Sequence, residues 1–265
     1  MSEIRKIVAV LSVVLVTATV SLGQDKSDRP VRTGTAADGR YEWKSNHDPN
    51  GIGKFYMGRE IAHVMGFAGA LWLERDTREE EERLTLLVKS LKLKPGDVVA
   101  DIGAGSGVIS MLMAEEVLPN GYVVGVDVQD EMLLRLQDNA RKNGVTNIIP
   151  IKGSQKSSSL APQSIDLAIM VDVYHEFEFP YEMMGDIAKA IKPGGRVVLV
   201  EYRMEDPTVP IKLVHKMSQK QARLEVEQAE FNMKWTETIA VLPRQHILVF
   251  TKPLPEDKTK PEPEK

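Results

Sequence analysis

Between residues 84 and 252 the apolar positions follow two alternating rhythms. Leu84, Leu87, Val88 and Leu91 recur at helical spacing until Lys94-Pro95-Gly96 stops them. Val98-Val99-Ala100 then opens a series of short apolar runs, at 122–126, 148–151, 165–171 and 196–201, each read as a buried strand. The segments between them, 108–117, 130–142 and 181–191, have helical patterning, with Asn143-Gly144 and Lys192-Pro-Gly-Gly195 as stops. Strands spaced by helices predict an α/β fold, a doubly wound, mostly parallel seven-stranded sheet with right-handed crossovers. A charged helix is expected from Pro210 to about residue 229. The last two strands, 234–241 and 246–252, are separated only by Leu242-Pro243-Arg244-Gln245, too short for a crossover helix. They predict an antiparallel hairpin at the sheet edge.

The flanks lack this rhythm. Residues 24–57 are polar and punctuated by Arg29-Pro30, Asp38-Gly39 and Asp48-Pro49-Asn50-Gly51, and read as a linker or loosely attached arm. The overlapping stretch 54–73 is the most aromatic part of the chain and is expected to form short helical pieces on or over the core. Thr77-x-x-Glu80 fits a capping box for the helix that follows. Residues 253–265, rich in Pro, Glu and Lys, cannot bury apolar area and are expected to be disordered. At the other end Arg5 and Lys6 precede an apolar run over 7–20 and the small residues Ser21 and Gly23. That order predicts a signal peptide over 1–23 and export; the alternative is an uncleaved membrane anchor over 7–22. The folded domain is expected over 58–252.

Composition narrows the chemistry. A length of 265 residues with 42% hydrophobic content supports one full α/β core. A net charge of −4 gives no electrostatic footprint for nucleic acid. The complete lack of cysteine excludes disulfides, thiolate metal sites, a cysteine nucleophile and a lipidated cysteine.

The stretch with the most chemistry in it is Asp101-Ile-Gly-Ala-Gly-Ser-Gly107, directly after the first strand. Its glycines allow a sharp turn and close backbone approach to a ligand, and the helix beginning near Val108 points unpaired N–H groups into the same space. A dinucleotide fingerprint, Gly-x-Gly-x-x-Gly, fails in both registers, because its third glycine would fall on Val108 or Ser110.

The Asp101 loop, the acid Asp127 ending the second strand, Lys192-Pro-Gly-Gly195 and the terminal hairpin, in that order, resemble class I S-adenosylmethionine-dependent methyltransferases, including the menaquinone and ubiquinone biosynthesis type. The resemblance covers roughly 58–252. It implies S-adenosyl-L-methionine as cofactor and a small-molecule or lipid-like acceptor. Asp101, Gly103, Ala104, Gly105 and Gly107 would hold the methionine part, Asp127 the ribose hydroxyls, and Val128 would flank the adenine. Asp130 makes the better helix cap, which leaves Asp127 for the ribose. Ser154 and Gln155 stand where the family often has an acid for the adenine amino group, and accept more weakly.

The loop Asp172-Val-Tyr-His175-Glu176-Phe177 follows the fourth strand and is expected to face the transferred methyl. His175 is the natural candidate base, with Asp172 and Tyr174 as companions; the competing reading of His175 is a hydrogen-bonded loop residue. Glu176 is a weaker candidate, and Glu201 and Tyr202 are expected to line the acceptor pocket. Tyr56, Met57, His63 and Trp72 form either a lid or, by preference, core. No spacing supports a metal site at His63 and His175, and His215 and His246 read as structural or exposed. A non-catalytic exported binding module for an adenosyl metabolite is the alternative function, and an NAD-dependent oxidoreductase a remoter one.

Overall fold

The computed structural model describes residues 33–36 and 39–255. The expected signal peptide and most of the expected disordered tail lie outside the described residues.

The described chain begins with a four-stranded antiparallel sheet: β1 (Gly34–Thr35), β2 (Tyr41–Trp43), β3 (Gly51–Tyr56) and β4 (Arg59–Ala62). Here the reading of 24–57 as a linker or loose arm is corrected over its described part, as is the expectation of helical pieces over 54–62; the short helical pieces expected up to residue 73 form at Phe67–Gly69 and Ala70–Leu73. Tyr41, Tyr56 and Ile61 point to one side and pack with Ile52, Phe179 and Tyr181. Met57 and Gly58, with φ of 49° and 87°, form a two-residue hairpin turn of the kind that matches strand twist. The alternation was masked by Gly51 and Gly53 at a register shift in β3.

Helices α1 (Ala70–Leu73), α2 (Arg78–Glu82) and α3 (Leu84–Ser90) lead to the main sheet. The capping box does not form: Thr77 makes no side-chain cap bond, and its Oγ1 donates to Glu81 Oε1 at 2.9 Å. Arg83, at φ 56°, breaks the expected single helix in two.

The core then alternates β5 (Val98–Ile102), α4 (Val108–Glu116), β6 (Tyr122–Asp127), α5 (Asp130–Lys142), β7 (Ile148–Lys152), β8 (Ile165–Val171), α6 (Pro180–Ala190) and β9 (Ile191–Arg203). It closes with β10 (Lys216–Met217), α7 (Gln219–Val226), β11 (Lys234–Ile239) and β12 (Gln245–Thr251). The order across the sheet is β11-β12-β9-β8-β5-β6-β7, with β10 as a short parallel addition to β9. All the other pairs are parallel except those of β12, which runs against both its neighbours as the predicted hairpin.

Side chains alternate between two cores on opposite sheet faces. Ala100, Ala168, Met170, Val197 and Leu199 join α6 and α7, whereas Val99, Leu167, Ile169, Val198 and Val200 join α3 and α4. Burial on both faces makes these strands read as continuous apolar runs.

Two boundaries move. β9 begins at Ile191 and absorbs the expected Lys192–Gly195 turn as a register shift, with Gly194 at φ 78°. The charged helix after Pro210 shrinks to α7, because Ser218 caps it by accepting from Gln221 N at 3.1 Å. The residues before that cap form a turn at Leu213–His215. The order β8-β5-β6 puts a topological switch point between α4 and the loop after β8, where such sheets bind ligands.

Candidate active site

The glycine loop leaves β5 at the switch point. Gly103 N and Ala104 N both donate to Val126 O, at 2.8 and 3.0 Å, so the loop is tied to the end of β6. Gly103 lies at φ 73°, and a Cβ there would stand 2.6 Å from Val173 Cγ1, so only glycine fits. Gly107, at φ 82°, is the N-cap of α4 and packs on Leu136.

Two acids flank this loop. Asp101 is buried and accepts from Ser110 Oγ at 2.6 Å. Burial pushes its pKa up to about 6, against the Ser110 bond and the nearby Arg78 charge, and Asp127 adds to the rise. Asp127 accepts from Gly105 N at 3.0 Å through Oδ2 and from Gln129 N at 2.8 Å through Oδ1. Burial raises its pKa as well. The division of labour expected from sequence is therefore altered: Gln129 occupies the N-cap of α5, Asp130 pairs with Lys152 at 2.8 Å, and Asp127 anchors two loops at once. A carboxylate oxygen has two lone pairs, so each can still accept from a ligand.

A cavity of about 610 Å³ runs from these acids past the ends of β6, β7, β8 and β9. Asp101, Gly103, Ala104, Gly105, Asp127, Val128, Ser154, Gln155, Asp172 and His175 all line it. Gly107 and Tyr174 stand outside that lining. Gly107 serves the loop's shape. Tyr174 turns into the core behind the site, its ring 5.7 Å from the Arg59 guanidinium and 5.5 Å from the Phe177 ring, which corrects its place among the catalytic candidates.

The aromatic segment divides. His63 and Trp72 belong to the cavity wall, whereas Tyr56 is core and Met57 is a turn residue. Met65 joins that wall to both sides of the cleft: its O accepts from Gln129 Nε2 at 3.0 Å, and its N donates to Glu176 Oε2 at 3.2 Å.

Asp172 sits in the left-handed region at φ 53°, a conformation Asp tolerates better than most residues. Its Oδ2 accepts from Gln245 Nε2 at 3.0 Å, while its buried Oδ1 has no partner. Burial holds its pKa well above the ordinary carboxylate range, reinforced by Glu201 and Glu82.

His175 is fully enclosed. Its Nδ1 meets Glu201 Oε2 at 2.6 Å and its Nε2 meets His215 Nδ1 at 3.2 Å, with the rings perpendicular. Burial pushes both imidazoles down to about 4, so both are neutral near pH 7. An imidazole with both nitrogens engaged and so low a pKa is a poor proton acceptor. Glu176, pushed up to about 7 by burial, lines the same cavity and is better matched to that task.

Sequence reasoning did not place His215 beside His175 or in the cavity wall, and it missed Arg78 and Glu82 there. The Glu201 contact had a signal: Glu201 and Asp172 each end an apolar strand run, and the parallel pairing of Val171 with Val200 sets those ends side by side. His215 had none, because it lies 40 residues from His175 in a stretch patterned as helix.

A doubly wound sheet of this order, with a glycine loop after its first strand and acids at the first two strand ends, defines the class I methyltransferase fold. The family model described as a methyltransferase domain matches residues 93–246. An arsenite methyltransferase from Halobacterium salinarum is 32% identical over 115 residues, 43% of this chain and 29% of that protein. A demethylmenaquinone methyltransferase from Lactobacillus johnsonii is 28% identical over 124 residues, 46% of this chain and 50% of that protein. The chain thus spans half or less of these two relatives. The crystal structure of a SAM-dependent methyltransferase from Aquifex aeolicus superposes with a TM-score of 0.66 at 20% identity, covering 71% of this chain and all of that one. The chain belongs to the methyltransferase-domain family, and S-adenosyl-L-methionine is the cofactor of that family.

The residues present fit that cofactor. Asp172 Oδ1 and Ser106 Oγ are buried polar atoms without partners in residues that line the cavity, and Asp101 and Asp127 place acceptors along the same wall.

Proposed function

We propose that this protein transfers a methyl group from S-adenosylmethionine to a small-molecule or lipid-like acceptor. The observation that carries this reading is one continuous 610 Å³ cavity joining the Asp101 loop and Asp127 to Glu176 and His215. The cofactor supplies an activated methyl on a sulfonium. Asp101 provides an anionic acceptor for its amino group, the unpartnered Asp172 Oδ1 stands in the same cavity, and the N-terminal N–H groups of α4 suit its carboxylate. Asp127 accepts from the ribose hydroxyls, and Ser154 and Gln155 serve the adenine more weakly than an acid would.

The acceptor end is set by Glu176, Phe177, Tyr202, Ile211 and His215. Its mixed lining suits an apolar body with one polar reacting atom. Holding donor and acceptor in line is the main contribution expected of such a pocket. Where the acceptor has a proton to lose, Glu176 is the group placed to take it. Arsenite, the acceptor in the name of the halobacterial relative, is a poor fit on chemical grounds: trivalent arsenic is soft and seeks thiolates, and this chain has no cysteine.

Incubating the purified full chain with methyl-labelled cofactor and fractionated cell extract tests the reading. Label appearing in a small-molecule or lipid fraction supports it. Cofactor binding with no labelled acceptor in any fraction removes the transfer step and favours a binding module.

Export is part of the same proposal and rests on Arg5, Lys6 and the apolar run over 7–20. Among the described residues no helix is long and apolar enough to cross a membrane. Mass spectrometry of the protein from its native host would find a mature chain beginning after Gly23; one beginning at Met1 contradicts cleavage.

A further inference from the structure

The acceptor end of the cavity holds an arrangement that methyl transfer alone does not require. His175, Glu176 and His215 each direct one ligand-type atom toward a common point, all within 4.8 Å of one another. His175 Nε2 and His215 Nδ1 are 3.2 Å apart, and Glu176 Oε1 lies 4.0 Å from each. We propose that His175 Nε2, His215 Nδ1 and Glu176 Oε1 form a binding site for a divalent first-row transition ion, with its open positions facing the acceptor cavity.

The distances support this. At metal–nitrogen bonds of about 2.0–2.1 Å, a tetrahedral ion separates two nitrogens by about 3.3 Å. The observed 3.2 Å between the imidazoles already meets that chord. The carboxylate oxygen at 4.0 Å needs to close by about 0.7 Å, within reach of a glutamate rotation about a fixed backbone.

The surroundings also have the form of a ligand's support. Glu201 Oε2 stands 2.6 Å from His175 Nδ1, a carboxyl–imidazole contact of the kind that orients a metal-ligating ring with its Nε2 toward the cavity. Glu201 is itself held by Tyr174 N at 3.1 Å. Glu176 is oriented through its other oxygen by Met65 N at 3.2 Å, which leaves Oε1 to turn inward. Two histidines and one carboxylate with open positions form a donor set used by catalytic zinc and non-haem iron centres.

The competing account is a plain hydrogen bond between the two rings, in which one nitrogen donates and the other accepts. It explains the 3.2 Å separation but not why Glu176 Oε1 lies 4.0 Å from both ring nitrogens. The site stands on its own geometry. Its use, to hold a hydroxyl or thiol acceptor beside the cofactor methyl, rests on the methyltransferase reading.

The test is calorimetric titration of Zn²⁺ into the EDTA-treated full chain, with Co²⁺ absorption spectra reporting the ligand field. Wild type is expected to bind one Zn²⁺ per chain with a dissociation constant of about 1 μM or tighter. His215→Ala should weaken binding by about 100-fold or more, and Glu201→Gln by about 10–100-fold through loss of orientation. Glu176→Gln should shift the Co²⁺ spectrum. Thermal melts and S-adenosylmethionine binding verify that each variant is folded. No stoichiometric Zn²⁺ binding by wild type, or equal binding by folded His215→Ala, overturns the site. Cofactor binding without Zn²⁺ binding removes only this inference; Zn²⁺ binding without cofactor binding removes only the methyltransferase reading.

Discussion

Asp101 shows how far one buried carboxylate can govern the site. Its pKa is pushed up to about 6 by burial, with Ser110 and Arg78 opposing and Asp127 reinforcing the shift. In the proposed role it must be ionised to pair with a cofactor amino group that stays protonated throughout this range. Cofactor affinity should therefore be full above about pH 7 and fall as pH drops through 6, by up to about tenfold per unit. Calorimetry from pH 7.5 to 5 checks this, and Asp101→Asn should bind weakly with that part of the slope gone. A wild-type affinity flat across the range contradicts the assignment. Asp127→Ala removes an acceptor and an anchor of the glycine loop together, and should weaken binding by about 10–100-fold. Both acids were legible because each ends an apolar strand within a few residues of its partner loop. Their local bonds were not, since the register of β5 on β6, which brings Gly105 N to Asp127 Oδ2, is a tertiary fact.

Elements hold these residues in place through a few contacts that can be broken one at a time. An alanine at Gly103 would bear the left-handed penalty of about 1–2 kcal/mol and drive a methyl into Val173. Gly103→Ala should lower thermal stability and displace the loop carrying Asp172 and His175. Unchanged melting would show that the loop is not held as described. The small sheet is locked to the body by a second device. Arg59 on β4 donates to both carboxylate oxygens of Glu225 on α7, at 2.7 and 2.8 Å, and to His175 O at 3.1 Å, and all three residues are buried. Leaving Arg59 unpaired by Glu225→Ala should cost about 3–5 kcal/mol, read as a fall in melting temperature of roughly 10 °C. The apolar pair Arg59→Met with Glu225→Leu should recover much of it, and a single variant melting like wild type would refute a buried lock. None of this was visible in the chain. Glu42 and Lys44 make the arm look polar, and the residues that bury it, Phe179 and Tyr181, come more than a hundred positions later. The main sheet was readable because burial on both faces leaves apolar runs that need no partner to be recognised.

At the scale of the molecule, the sheet order and both cores converge on one switch-point cavity, and residues of 63–82 and 210–215 supply its remaining wall. That division accounts for what the sequence conveyed. The end of the cavity at Asp101 and Asp127 is built from strand ends in a fixed order, so the residues that line it could be placed from the sequence. At the far end of the cavity Glu176 and Tyr202 stand where the sequence suggested, whereas Met65, Ile211 and His215 come from segments of irregular pattern, and only their meeting in space reveals them. The central claim is that this cavity takes S-adenosylmethionine rather than a dinucleotide. Isothermal titration of the full chain with S-adenosylmethionine and, separately, with NAD tests it most directly. The structure predicts one molecule of S-adenosylmethionine bound per chain, weakened in Asp127→Ala, and no heat with NAD; NAD binding with no response to S-adenosylmethionine would contradict it.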